Sequence, residues 1–146
     1  MIDMYGDTAA GRRRVAQLRE QGGDIRAMAS RLVAQSEAVP WHGKAAESMR
    51  SRIKDRAHHL RAVAAQHETA AESLAAHLTE VDALKDAIEV HSHKATTLVE
   101  DARTRSAQTS PGDPAPEPDS AETALLAFDP PPAGHKDWLT VNLPGL

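Results

Sequence analysis

The sequence predicts an all-α protein, and three observations predict it. Alanine fills 27 of 146 positions while Phe, Trp and Tyr together fill only four (Tyr5, Trp41, Phe128 and Trp138). That composition suits helices and lacks the β-branched and aromatic surface that sandwiches and barrels need. Residues 44–110 contain neither glycine nor proline, so nothing punctuates a helix there. Apolar side chains recur at heptad spacing on both sides of Pro40, the mark of helical faces that pack on one another. The expected architecture is an antiparallel helical hairpin with a long second helix over residues 1–106, followed by an acidic, Pro-rich tail over 107–146.

Helix 1 is expected at about residues 8–38. Leu18, Ile25, Leu32 and Val39 recur every seven residues, with Val15, Met28 and Ala29 on the same stripe, and Asp7 or Thr8 is placed to cap the first turn. The Gly22–Gly23 pair costs roughly 1 kcal/mol per glycine relative to alanine in a helix interior. It reads either as a kink or as a tolerated soft spot.

Helix 2 is expected at about 44–106. One heptad position reads Ile53, Leu60, His67, Leu74, Val81, Ile88, Ala95, and its companion reads Met49, Arg56, Val63, Ala70, His77, Leu84, His91, Leu98. At 1.5 Å per residue helix 2 is roughly 95 Å long and helix 1 about 45 Å. The hairpin therefore leaves Leu74, Leu78, Val81, Leu84, Ile88 and Leu98 to be covered by something else, since fully burying each contributes about 1.5–3 kcal/mol. Either a second chain packs there, or the helix breaks at Thr79-Glu80-Val81-Asp82, a candidate capping box for a third helix.

Charge supports an antiparallel hairpin. Residues 44–61 hold six basic and two acidic side chains, and 62–101 hold two and eight, an order that opposes the helix macrodipole. Folding helix 1 back is expected to set Arg12, Arg13 and Arg14 near Glu68 and Glu72.

The junction Val39-Pro40-Trp41-His42-Gly43 has the chemistry of a tight reversal. Proline moves Val39 out of the α region, Gly43 permits positive φ, and Trp41 projects an indole. Trp-x-Gly between two amphipathic helices, in a chain without cysteine or an export signal, resembles the WXG family of small helical-hairpin proteins handled by type VII (ESX-type) secretion systems. The resemblance covers roughly residues 5–100 and carries over two positions, Trp41 and Gly43. It implies pairing with itself or a sister helical-hairpin protein into a four-helix bundle that is exported folded by the secretion machinery, through a signal-peptide-independent route, from a cytoplasmic precursor. The family's Tyr-x-x-x-Asp/Glu export element follows helix 2, whereas the sole tyrosine here is Tyr5, which leaves that element to the partner. Without the resemblance, Trp41 reads as a core residue closing an ordinary hairpin.

Other chemistry finds little footing. The chain has eight histidines and no cysteine, but no histidine follows a glutamate at the three-residue spacing of di-metal bundles. His77 and His91 lie about 21 Å apart along a helix. His67, His77 and His91 read instead as polar seam residues. No Gly-rich phosphate loop or nucleophile elbow occurs, so no catalytic residue, metal or cofactor is expected. A net charge of −4 with few aromatics argues against nucleic acid, with residues 44–61 as the one basic segment, and no run is long and apolar enough for a membrane span.

The tail divides in two. Residues 107–119 are rich in Ser, Pro, Asp and Glu and read as a flexible linker. Beyond them, Ala121–Phe128 forms a short expected helix capped by Asp119 or Ser120, and Trp138, Leu139, Val141 and Leu143 make an apolar cluster. Such a peptide either docks on a partner or folds back onto the seam of helix 2. The function expected is therefore protein pairing in secretion, the alternative being a cytosolic coiled-coil adaptor or chaperone for a larger exported effector.

Overall fold

A computed structural model describes residues 8–108 and 120–146. The described residues are helical, without strands: α1 spans Thr8–Ala38, α2 spans Lys44–Ala107, α3 spans Ser120–Leu126, and a short 3-10 turn covers Lys136–Thr140. Asp7 and Asp119, which the sequence marks as capping residues, residues 109–119 of the Pro-rich linker, and Tyr5 lie outside the described residues. The chain divides into two compact units, Asp7–Glu80 and one containing Val81–Leu146.

In the first unit α1 and the opening half of α2 run antiparallel. Position 36 meets position 50, position 22 meets position 64, and position 11 meets position 78. The inner stripe is built from small residues. Val15, Gly22, Ala29 and Ser36 are buried on α1, and Ala57, Ala64, Ala71 and Leu78 on α2, each set spaced by seven. Side chains this small let two helix backbones approach toward the short end of the usual range of about 8–10 Å. The unit is therefore stabilised by close contact along the whole seam rather than by a few large side chains, and Val15, Ala71 and Leu78 form its compact cluster with Leu18, Leu74 and Ala75.

Three expectations change here. The second seam position is shifted by one residue: Met49, Val63 and Leu84 are 48%, 39% and 52% exposed, while Ala57, Ala64 and Ala71 are fully buried. Packing distance selected alanine over the bulkier neighbours. The glycine pair does not interrupt α1, which is one helix through Gly22 and Gly23. A Cβ at Gly22 would lie 3.3 Å from the Ala64 carbonyl oxygen, so the glycine fits a close backbone approach. Finally, α2 continues through Thr79, whose hydroxyl donates to the Ala75 carbonyl one turn back. No capping box forms there.

The predicted ion pairs also shift in register. Glu68 meets Arg26, through a fork of Nε–Oε1 at 2.7 Å and Nη2–Oε2 at 3.0 Å, rather than Arg12–Arg14. Those arginines flank the level of Leu78, which faces Gly11. The hydrogen bond from Arg26 holds the Glu68 carboxyl below its ordinary value, against a smaller opposing effect of burial and with help from the guanidinium charge.

In the second unit the C-terminal segment covers α2. Ile88, Ala95, Val99 and Ala102 share one face of the helix and are buried with Leu125 of α3, Trp138 and Leu143. Leu98, Phe128, Val141 and Leu146 pack around them. The Trp138 indole N–H donates to the Pro132 carbonyl at 3.0 Å, which satisfies its one polar group. Its ring lies tilted against Phe128, 6.1 Å between centroids. The His135 ring nitrogen Nδ1 accepts from the Asp137 backbone N–H and caps the 3-10 turn. Among the described residues, then, the terminal apolar peptide is folded onto α2, the second of the two placements that the sequence leaves open. Its bulky side chains bury apolar surface that α2 would otherwise leave in water.

Candidate interaction site at the hairpin turn

The turn between α1 and α2 gathers the candidate site. Trp41 N–H donates to the Val39 carbonyl at 2.9 Å, which reverses the chain within three residues. Gly43 has φ of 106°, a left-handed conformation that glycine adopts without steric cost. Its carbonyl accepts the first hydrogen bond of α2, from Glu47 N–H at 3.1 Å.

Arg50 organises these groups. Its guanidinium donates to the carbonyls of Ser36 at 3.2 Å, Val39 at 2.9 Å and Trp41 at 2.7 Å. The last carbonyls of a helix have no partners within it, and a cation there also complements the negative end of the helix dipole. One side chain of α2 thus fixes the end of α1 and the backbone of Trp41. Sequence reasoning gave Arg50 no role, although its place about two turns into helix 2, behind a Pro-containing reversal, is where a long donor reaches the end of helix 1.

Trp41 is 55% exposed, so the reading of Trp41 as a core residue is not met. A groove of about 220 Å³ beside it is lined by Leu32, Val39, Trp41, Met49, Arg50 and Ile53, among others. Met28, Leu32 and Met49 are 49%, 37% and 48% exposed, which gives the turn end an apolar surface in water.

The other sequence-predicted positions separate. Ile53, Leu60 and Leu74 are half-buried beside the small-residue stripe and Leu78 is buried within it. In the second unit Val81 is half-buried, Leu84 is exposed, and Ile88 and Leu98 belong to the cluster under the C-terminal segment. Of the tail residues, Trp138 and Leu143 are buried and Val141 is half-buried, whereas Leu139 is 37% exposed. His67 Nδ1 sits 3.0 Å from the Val63 carbonyl of its own helix. Among the described residues, no three His, Asp or Glu side chains gather as a metal site, and no helix is long and apolar enough to cross a membrane.

Comparison with protein-family models, with curated proteins and with solved structures returns no match. The functional reading therefore rests on the residues and their geometry.

Proposed function

We propose that this chain is a type VII (ESX-type) secretion-associated protein that acts by pairing its helical hairpin, with itself or with a sister hairpin protein, into a four-helix bundle delivered to the secretion machinery. One observation carries the reading: a tryptophan in a Pro-Trp-x-Gly reversal is held at the tip of an antiparallel helix pair with its backbone carbonyl bonded by Arg50 and about half of its surface exposed. An exposed indole on a fixed backbone is a costly arrangement for stability alone and a favourable one for recognition, because aromatic anchors on pre-ordered supports contribute most to interfaces.

The test is Trp41→Ala in the full chain. Far-UV circular dichroism is expected to keep its helical signal, because little packing is lost on removing a half-exposed ring. Export from a host with the matching secretion system, and co-purification of the partner hairpin, are expected to fall sharply. Global unfolding, or undiminished export and pairing, would refute the proposal.

A further inference from the structure

The chain has four methionines and no cysteine, so thioethers and not thiols are its sulfur groups open to oxidation. Met1 and Met4 lie outside the described residues. Met28 and Met49 are 49% and 48% exposed, and the buried core of the described residues contains no methionine. The two differ in surroundings. Met49 lines the groove of about 220 Å³ at the turn, beside Trp41, Leu32 and Ile53, and Met28 is not among the residues of that groove. A thioether is apolar and adaptable, which suits a recognition surface. Its sulfoxide is polar and disrupts such surfaces. The turn itself does not depend on the sulfur, since Arg50 holds the carbonyls of Ser36, Val39 and Trp41.

We propose that Met49 is a reversible oxidation site, with a hydroperoxide as oxidant, and that its sulfoxide switches off recognition through the Trp41 groove. This rests on the reading of Trp41 as a recognition residue and adds its regulation. A lone pair of Met49 Sδ attacks one peroxide oxygen, and the O–O bond breaks as the S–O bond forms. The transferred hydroxyl passes its proton to the departing oxygen, which leaves as water, or as an alcohol from an alkyl hydroperoxide. Sulfur is oxidised by two electrons and the peroxide is reduced by two. A methionine sulfoxide reductase reverses the step, removing the oxygen as water while two thiols become a disulfide. Oxidation of Met49 puts a polar wall beside the indole on an unchanged backbone. Oxidation of Met28, at nearly the same exposure, leaves the groove apolar.

Hydrogen peroxide treatment of the full chain, followed by peptide mass mapping, tests the chemistry. One oxygen is expected on each of Met28 and Met49 before the circular dichroism spectrum changes. In a Trp138→Phe background, Trp41 emission is expected to shift to the red as Met49 is oxidised and to return after treatment with the reductase. Met28→Leu is expected to keep this response and Met49→Leu to lose it. In a host with the matching secretion system, Met49→Gln, a polar stand-in for the sulfoxide, is expected to lower export about tenfold, and Met28→Gln by about twofold at most. A Met49 that stays unoxidised while Met28 reacts, Trp41 emission indifferent to Met49, or Met28→Gln as damaging as Met49→Gln would overturn the proposal. Normal export of Met49→Gln beside failed export of Trp41→Ala overturns the switch and keeps the recognition reading. Normal export of both removes the reading and the switch with it.

Discussion

Gly22 and Gly23 are neighbours in sequence and opposites in environment, and substituting each in turn isolates the close approach of the two helices. Replacing glycine by alanine inside a helix gains about 0.8–1.0 kcal/mol from the backbone alone. At Gly23 an added Cβ meets nothing within 4 Å, so the whole gain is expected, equivalent to a rise of about 4–8 °C in melting temperature per kcal/mol for a unit of this size. At Gly22 the added Cβ sits 3.3 Å from the Ala64 carbonyl oxygen, 3.4 Å from Glu68 Cγ and 3.6 Å from His67 Cβ. The oxygen belongs to the backbone of α2 and yields only if the helices part. Gly22→Ala is therefore expected to be close to neutral. Leucine widens the contrast: Gly23→Leu keeps most of the propensity gain, while Gly22→Leu adds overpacking of about 1–3 kcal/mol. Urea unfolding of the four variants, followed by far-UV circular dichroism, measures these differences. A Gly22→Leu protein as stable as Gly23→Leu would refute close packing through the small-residue stripe.

Three further outcomes follow from the contacts. Arg50→Ala leaves the carbonyls of Ser36, Val39 and Trp41 without their donor and is expected to cost about 1–3 kcal/mol, with increased quenching of Trp41 fluorescence in a Trp138→Phe background; Arg50→Lys, which lacks the fork, is expected to recover only part of both. Because the folded Glu68 carboxyl is held below its ordinary value of 4.5, its stabilising contribution is complete above that value and is lost as pH falls through the lowered one; acid titration of Glu68→Gln, monitored by thermal melting, is expected to show a shallower loss of stability across that window than the wild type. Deleting residues 120–146 uncovers Ile88, Leu98 and Val99, so the truncated chain is expected to bind a hydrophobic dye and to sediment as larger species, and a non-binding chain of unchanged size would contradict the C-terminal cover.

The helix periods and the reversal were legible because they depend on local chemistry: the 67-residue span free of glycine and proline, the turn residues, and the apolar heptads. The choice of the inner stripe was not, because hydrophobicity ranks Met49 and Val63 above Ala57 and Ala64, whereas helix proximity ranks them the other way. A signal did exist in the matched spacing of Gly22, Ala29 and Ser36 against Ala57, Ala64 and Ala71. Register errors followed from the same source, since Glu68 pairs with Arg26 only once the helices lie that close. For the terminal peptide the sequence supplied the anchors, Trp138 and Leu143, but not their target. Two placements buried the same side chains, and only the three-dimensional fit to Ala95 and Ala102 distinguishes them. At the turn, Trp41 and Gly43 are readable from a motif, while Arg50 acts through main-chain carbonyls that no residue pattern displays.

The clasp formed by Arg50 has a kinetic consequence. Its three bonds join residues 9, 11 and 14 positions apart, whereas the Arg26–Glu68 pair joins residues 42 apart. Closing a short loop costs less chain entropy than closing a long one, and local contacts speed the search for the native state. The hairpin should accordingly nucleate at its reversal and zip toward Val15 and Leu78. Substitutions at Arg50 should then slow folding, and those at Val15 or Leu78 should chiefly quicken unfolding. The tip presented to partners would be the first part of the hairpin to form, complete before the helices behind it have closed.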